Sequence, residues 1–265
     1  MTDLPKSHFV SDDLFNRAIR IHLIGCGGTG SQLAPRLVQL HKALLALGHP
    51  EGLQVSLWDS DTVSESNPLR QNYFDIDVGH LKAVVMTNRI NIAFGMDWKA
   101  RPEHFTGEVR SVNDRADIVI GCVDTKSSRR AIDQFVRTQG TPCYWIDSGN
   151  GSDSAQIIVG HYSKKSANDP NRLPLLSELY PDALAGLDDN TPSCSARESL
   201  ASQGLATNAL AASWIYAWLA TALRYGKIDW SGIFVNLLSG RASSIPVDPN
   251  AWNAINPNRL PVAAA

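Results

Sequence analysis

Apolar and polar positions follow two different periods along the chain, and these periods predict its elements. Short apolar runs predict strands near 20–25, 53–58, 97–101, 116–123, 142–147 and 154–161. Apolar residues spaced three and four apart predict helices near 29–47, 80–94, 127–139 and 196–225. In the first helix this apolar stripe consists of Leu33, Leu37, Leu40, Leu44 and Leu47. Strand–helix alternation over the first 150 residues predicts an α/β fold with a doubly wound, Rossmann-like, mostly parallel sheet.

The C-terminal part of the chain has a different pattern. Residues 163–192 are rich in Pro, Asp and Asn, which predicts a long irregular crossover. Farther on, GIFVNLL and ASSIPV flank Ser239-Gly240-Arg241, which predicts an antiparallel hairpin. Residues 205–223 are apolar enough to suggest a membrane span, but Thr207, Asn208, Ser213 and Thr221 interrupt them. We therefore expect a buried or dimer-interface helix at this place.

A glycine-rich turn follows the first predicted strand. In IHLIGCGGTG, Gly25, Gly27 and Gly30 have the spacing G-x-G-x-x-G, and Gly28 is an additional glycine. Residues without a Cβ allow a tight strand-to-helix turn and bring backbone amides close to a phosphate. The turn therefore predicts a phosphate site, although dehydrogenases, methyltransferases and flavoproteins share this motif.

A second group of polar residues follows the strand that contains Leu53, Val55 and Leu57. The stretch WDSDTVSESNPLRQ, residues 58–71, combines carboxylates, an amide and an arginine, and its Asp59 stands where the strand ends. Ligands of open parallel sheets collect at the carboxyl ends of the strands. An NAD(P)-dependent oxidoreductase remains an alternative, but it needs one acidic residue here and gives no reason for the rest of the stretch.

These motifs, with Lys82 in VGHLK and Asp124 in ADIVIGCVD, resemble the ThiF/MoeB/HesA superfamily, which includes the adenylating core of ubiquitin-activating enzymes. Within it the chain is most similar to the short ThiF-related members of plasmid PRTRC cassettes. The resemblance implies a single ThiF-type adenylation domain over 1–265. Its parts are an N-terminal arm (1–19), a nucleotide-binding core (20–160), a crossover loop (163–192), and a C-terminal helix and hairpin (193–250).

The resemblance also implies a role for each matched residue. Asp59 would bind the ribose hydroxyls of ATP, Asn67, Arg70 and Gln71 would face the triphosphate, and Lys82 would add charge there. The full set of expected ATP contacts is Gly25, Gly27, Gly28, Gly30, Asp59, Asp61, Asn67, Arg70, Gln71, Lys82 and Asp124. Expected catalytic residues are Arg70, Lys82, Asp124 and Cys194, with Asp124 the Mg²⁺ ligand.

Some positions depart from the family pattern or match it without a clear role. Pro68-Leu69 replaces the usual apolar–polar pair, and Thr125 stands where many members have asparagine. Arg129 matches a family arginine of uncertain role. His22, inside the first strand, is interpreted as a core or surface residue and not as a ligand.

The implied reaction is attack of a protein's C-terminal carboxylate on the α-phosphate of ATP, which gives an acyl-adenylate and pyrophosphate. It requires no general base, because the carboxylate is ionised at neutral pH. The expected substrate is a small ubiquitin-like β-grasp protein ending in Gly-Gly, and we expect a cytoplasmic homodimer. A net charge of −2 and a pI of 6.4 give no electrostatic sign of nucleic-acid binding, and no membrane partner is expected.

The four cysteines, at positions 26, 122, 143 and 194, include no C-x-x-C pair, so no structural zinc is expected. Cys26 and Cys122 are interpreted as small buried residues. Cys194 lies in TPSCSARES, where relatives with a sulfur-transfer or thioester cysteine carry theirs. Whether it accepts the acyl group, or whether the adenylate is the product, is open.

Every matched residue also has a purely structural interpretation. Asp59 and Asp61 would cap a turn, Arg70 would form a surface ion pair, Lys82 would be a solvated helix residue, and Asp124 would be a helix N-cap. The match of four separate segments in the right order favours function. A third alternative is a ThiF-like scaffold that binds ATP or a partner without turnover, since neither Arg17 nor Arg20 clearly matches the N-terminal arginine of longer relatives.

Overall fold

An eight-stranded mixed sheet forms the centre of the molecule. The computed structural model describes residues 6–188 and 206–259. In these residues the strands are β1 (His8–Phe9), β2 (Ile19–Ile24), β3 (Leu53–Trp58), β4 (Lys99–Arg101), β5 (Ile118–Gly121), β6 (Cys143–Asn150), β7 (Ser154–Tyr162), β8 (Lys227–Ile228), β9 (Trp230–Asn236) and β10 (Arg241–Pro246). The large sheet has the order β10-β9-β7-β6-β5-β2-β3-β4, and β1 pairs with β8 in a separate ribbon.

The sheet has a parallel and an antiparallel half. Strands β6, β5, β2, β3 and β4 are parallel neighbours, whereas β7, β9 and β10 are antiparallel additions beside β6. The chain moves from β2 outward to β3 and β4, then returns to place β5 on the other side of β2. The strand order therefore reverses between β2 and β5, which is where open α/β sheets bind ligands. The predicted fold class, including the C-terminal hairpin of β9 and β10, is confirmed.

The described part of the chain has six α-helices. They are α1 (Gly28–Ala46), α2 (Lys82–Phe94), α3 (Lys126–Thr138), α4 (Leu176–Leu179), α5 (Thr207–Tyr225) and α6 (Pro249–Ile255). The helix predicted at 196–225 is described from Thr207 onward, and its first ten positions lie outside the described residues. None of these helices is long and apolar enough to cross a membrane.

Helix α1 packs the sheet with its leucine stripe. Leu33, Leu37, Leu40 and Leu44 are buried, whereas Leu47 is 63% exposed. The prediction was wrong for Leu47 because the helix ends at Ala46 and Leu47 is already its C-cap, so it no longer continues the buried face. Helix α1 contacts both β2 and α5, which brings the start of α5 close to the glycine-rich turn.

The core continues into an aromatic cluster around His22. This histidine is 5% exposed and lies between the rings of Trp58, Phe105 and Phe135, with centroid distances of 5.5 to 6.2 Å. Burial lowers the pKa of His22 to about 4, so it is neutral at physiological pH. The interpretation of His22 as a core residue is confirmed.

Candidate functional site

A cleft of about 470 Å³ opens at the carboxyl ends of β2, β3 and β5, at the point where the strand order reverses. We call it the glycine-loop cleft. All the described residues predicted for ATP binding except Gly30 line it, namely Gly25, Gly27, Gly28, Asp59, Asp61, Asn67, Arg70, Gln71, Lys82 and Asp124. The fold therefore brings four separate sequence segments to one place.

The glycine-rich turn needs its glycines for steric reasons. Gly25 has a φ of +89°, and a Cβ on it would lie 2.5 Å from the carbonyl oxygen of Cys122. A Cβ on Gly30 would collide with the carbonyl oxygen of Gly25, so Gly30 serves the close packing of α1 against the turn. Helix α1 begins at Gly28, and its first amides therefore face the cleft as donors for an anion.

Asp59 joins the two loops that form the floor of the cleft. Its Oδ2 accepts a hydrogen bond from the Cys26 amide at 2.6 Å, and its Oδ1 accepts one from the Asp61 amide at 2.8 Å. Burial raises the pKa of Asp59, and the charge of Lys82 acts in the opposite direction. Each oxygen still has a lone pair for a further donor such as a sugar hydroxyl.

Lys82 points into the cleft and not into solvent. Its Nζ lies 3.0 Å from Oδ2 of Asp61, and the lysine side chain is 9% exposed while that of Asp61 is 65% exposed. The Lys82 amide also donates to the Asp61 carbonyl at 2.9 Å, which anchors the start of α2. The interpretation of Lys82 as a solvated helix residue is therefore wrong, and Asp61 is its counter-ion.

The segment from Asn67 to Gln71 forms a tight turn beside this pair. Oδ1 of Asn67 accepts from the Ser64 amide at 3.0 Å, and the Gln71 amide donates to the Asn67 carbonyl at 2.8 Å. Gln71 is buried, yet its Oε1 has no hydrogen-bond partner in the described chain. Burial lowers the pKa of the neighbouring Arg70, and the Asp124 carboxylate acts in the opposite direction.

Asp124 follows β5 and is exposed at the cleft. It is not the N-cap of α3, because Thr125 takes that role by accepting from the Ser128 amide at 3.2 Å. Among the described residues, no group of three or more His, Cys, Asp or Glu side chains could hold a metal ion. A single carboxylate suits Mg²⁺, which usually completes its coordination with phosphate oxygens and water.

Arg129 has an intramolecular partner. Its Nε lies 3.2 Å from both carboxylate oxygens of Asp147, and its Nη2 donates to the carbonyl oxygens of Val123 and Ser148 at 3.1 and 3.4 Å. Burial raises the pKa of Asp147 to about 6, and Arg129 acts in the opposite direction. Arg129 therefore holds the end of β5 against β6.

The N-terminal arginines lie elsewhere. Arg17 binds Asp117 with two hydrogen bonds of 2.7 and 2.8 Å, and Arg20 lies 3.6 Å from the same carboxylate. Asp117 precedes β5, so this cluster is at the opposite end of that strand from the cleft. Cys194 lies outside the described residues. Cys26 is buried as predicted, whereas Cys122 is only partly buried and lines the cleft.

The sequence interpretation missed several residues that line the cleft. Trp58 and Phe105 form one wall, and Ser148, Asn150 and Asn208 come from the C-terminal half of the chain. The signal for Asn208 was present, because a polar residue in an otherwise apolar helix that is not a membrane span needs an internal partner.

A second cavity adjoins the first. This sheet groove, of about 680 Å³, lies over β7, β9 and β10 and is lined by residues that include Gln156, Phe234 and Arg241. The groove and the glycine-loop cleft share Val123, Asp124 and Asn150. A ligand in the groove would therefore reach the cleft beside Asp124.

The chain is similar in sequence to a known protein family. The family model described as ThiF family matches residues 12–244. The chain belongs to the ThiF family. No curated protein matches it significantly.

Among solved structures, this ThiF-family chain is similar to PaaA, with 15% identity and a TM-score of 0.59 over 86% of this chain and 64% of PaaA. It is also similar to E. coli MccB. The MccB structure with ATP has 17% identity and a TM-score of 0.53, covering 95% of this chain and 67% of MccB. The MccB structure with MccA-N7isoASN has 16% identity and a TM-score of 0.55, covering 93% and 66%. The chain thus spans slightly under two thirds of PaaA and about two thirds of MccB, and at these identities the likeness concerns the fold.

Proposed function

We propose that this ThiF-family protein uses ATP to adenylate the C-terminal carboxylate of a small protein or peptide and releases pyrophosphate. The observation that carries the proposal is the meeting of Asp59, Lys82, Arg70 and Asp124 in the glycine-loop cleft. An oxidoreductase would use Asp59 and the glycine turn but would need none of Lys82, Arg70 and Asp124. A site for phosphate transfer uses these three residues as well, to neutralise the charge of the phosphates.

In this proposal the nucleotide lies along the cleft. The Asp59 carboxylate accepts hydrogen bonds from the ribose hydroxyls, while the amides at the start of α1 face the phosphates. Arg70 presents a planar fork of donors, and Lys82 exchanges its contact with Asp61 for a phosphate oxygen. The exchange is feasible because Asp61 is largely exposed and regains water when it releases the lysine. Asp124 would hold Mg²⁺, which neutralises phosphate charge when bound.

The second substrate would arrive through the sheet groove. Its carboxylate is ionised at neutral pH, so the attack needs positioning and charge neutralisation and no proton acceptor. Attack forms a bond between a carboxylate oxygen and the α-phosphorus, and the bond to the bridging oxygen breaks with its electron pair leaving on pyrophosphate. The shared lining at Asp124 and Asn150 supports an approach from the groove toward this phosphorus.

We propose that the natural substrate is a ubiquitin-like β-grasp protein ending in Gly-Gly, that the enzyme is a cytoplasmic homodimer, and that it belongs to the PRTRC subtype. These finer points rest on the resemblance of the motifs described above. One structure of MccB, which has the same fold, is of MccB in complex with N-formylated MccA. A short peptide substrate is the alternative to test.

The decisive experiment is exchange of labelled pyrophosphate into ATP, with Mg²⁺ and candidate substrates ending in Gly-Gly. We expect exchange only when the substrate carboxylate is free, and none with the C-terminal amide of the same protein. ATP binding without exchange for any carboxylate substrate would support the scaffold alternative. Binding of NAD(P) in place of ATP would reject the proposal.

Arg70→Lys tests the phosphate role in the same assay. We expect most of the exchange rate to be lost although the charge remains, because an ammonium cannot form two parallel hydrogen bonds. The matched control is Arg224→Lys, an exposed position on α5 outside the cleft. Equal rates for the two variants would exclude Arg70 as a phosphate clamp.

Cys194 decides whether the acyl group moves on to the enzyme. Incubation with ATP and an exchanging substrate, followed by electrophoresis with and without reductant, would reveal a thioester. An adduct that is sensitive to thiols and absent from Cys194→Ala, with exchange retained, supports acyl transfer. Robust exchange without an adduct means that the adenylate is the product.

A further inference from the structure

Asn208 is a buried amide that lies against the glycine-rich turn. It is the second residue of α5, is 2% exposed and lines the glycine-loop cleft. Its Oδ1 accepts hydrogen bonds from Nδ2 of Asn150 and, at 3.3 Å, from the hydroxyl of Thr29. Its Nδ2 has no hydrogen-bond partner in the part of the chain that the structure describes. A buried amide donor without an acceptor is rare, because it loses its bonds to water and gains none in return.

The neighbours of this amide contact its oxygen. Oδ1 faces both Nδ2 of Asn150 and the Thr29 hydroxyl, and Nδ2 is the amide atom left without a partner in the described part of the chain. The amide lies flat on Gly28, since a Cβ there would overlap its nitrogen, carbon and oxygen atoms. Gly28 lies outside the G-x-G-x-x-G spacing, and the approach of Asn208 explains why this position is also glycine.

The neighbouring groups indicate which acceptor would complete the Asn208 bond. Asn150, its hydrogen-bonded partner, lines both the glycine-loop cleft and the sheet groove. The pair therefore stands where a carboxylate from the groove would meet a nucleotide in the cleft. A neutral amide donor suits a carboxylate that must stay nucleophilic, because a full positive charge would hold its electron pair more strongly.

We propose that Asn208, held by Asn150, binds the acyl end of the substrate, donating to the carboxylate oxygen that does not attack phosphorus. That oxygen becomes the carbonyl oxygen of the acyl-adenylate, so the same bond would hold the product. The inference rests on the proposed adenylation. It assigns substrate recognition to α5, in the C-terminal half of the chain, whereas the motif residues come from the first half.

The test compares three adenosine ligands by calorimetry on the full chain. They are ATP, AMP and 5′-O-(N-glycylsulfamoyl)adenosine, a stable mimic of an acyl-adenylate that carries the acyl carbonyl. For Asn208→Ala we expect the mimic to bind roughly tenfold more weakly, the value of one good hydrogen bond, while the affinities for ATP and AMP stay unchanged. Asn208→Asp should lower the affinity for the mimic further, because it places a carboxylate against the acyl carbonyl.

A second variant and a control distinguish a specific loss of binding from a general loss of structure. Asn150→Ala leaves Asn208 in place but removes the donor that fixes it. We therefore expect a loss of affinity for the mimic alone, smaller than the loss for Asn208→Ala. Asn91→Ala removes an amide that bonds only the Trp98 backbone, and it should change no affinity. Thermal unfolding of each variant shows whether it is folded.

Two results would overturn the proposal. If Asn208→Ala binds ATP and the mimic equally more weakly, the Asn208 amide contacts the phosphate end of the nucleotide. If its affinity for all three ligands is unchanged, the amide is purely structural. If the unaltered protein binds no adenine nucleotide, the proposed adenylation itself is wrong. The measurement therefore distinguishes failure of the function from failure of the Asn208 assignment.

Discussion

Replacing Arg129 by methionine should destabilise the protein strongly. The side chain of Asp147 is 2% exposed and that of Arg129 is 14% exposed, so removal of the guanidinium leaves a buried carboxylate without a counter-charge. The loss of one partner of such a pair costs about 3–5 kcal/mol. For a domain of this size that cost lowers the melting temperature by roughly 6–20 °C. Methionine keeps most of the volume, which separates the electrostatic effect from a cavity.

The dependence on pH identifies the cause. Because burial raises the folded-state pKa of Asp147 to about 6, its contribution to stability is present at low pH and is lost as pH rises through this value. Without Arg129 the pKa rises further. The deficit of Arg129→Met in the free energy of unfolding should therefore be much larger at pH 8 than at pH 5, as measured by urea titration.

Two further variants complete this test. Arg129→Met combined with Asp147→Asn should recover most of the lost stability, since no buried charge remains. Arg110→Met, which breaks exposed contacts of 3.7 Å with Glu103 and Glu108, should cost less than about 1 kcal/mol. A deficit below about 1 kcal/mol for Arg129→Met, or one that does not depend on pH, would refute the assignment of Arg129 to a buried ion pair.

Three other predictions concern stability and the site. Burial lowers the pKa of His8 and His22 to about 4 and that of His161 to about 3. The free energy of unfolding should therefore be full above pH 6.5 and fall toward pH 4 by on the order of 2–3 kcal/mol per histidine. Urea midpoints measured at several pH values would show this fall, and His22→Phe should make the midpoint depend less on pH. Gly25→Ala should cost roughly 2–5 kcal/mol from its φ of +89° and its overlap with the Cys122 carbonyl, as judged by thermal unfolding, and an unchanged melting temperature would contradict it. Asp124→Ala should abolish Mg²⁺-dependent ATP turnover at an unchanged melting temperature, and normal turnover would exclude Asp124 as the magnesium ligand.

The sequence predicted the parallel half of the sheet and the motif residues around the cleft because both depend on local patterns. Strand β2 is an apolar run in the sequence, the turn at Gly25 is a series of closely spaced glycines, and Asp59 directly follows β3. The same patterns predicted the helix boundaries to within two residues for α1, α2 and α3.

Contacts between distant segments could not be predicted in this way. Nothing near Arg129 in the sequence indicates that its positive charge is neutralised by Asp147 on β6. The neighbours of Asn208 are Thr29 and Asn150, which come from other parts of the chain and meet only when α5 packs on α1. Local spacing also extended the apolar stripe of α1 to Leu47, because periodicity does not indicate where a helix stops.

The central position of β2 has a consequence for synthesis on the ribosome. One edge of β2 is covered by β3 soon after both emerge, but the other edge waits for β5, whose first paired residue is Ile118 opposite Ile21. At the usual rate of translation this wait lasts about 5–20 s. During that time a strand whose residues in the native sheet are almost all buried presents unpaired backbone groups to solvent. We expect the nascent chain to depend on chaperones until residue 121 has left the exit tunnel.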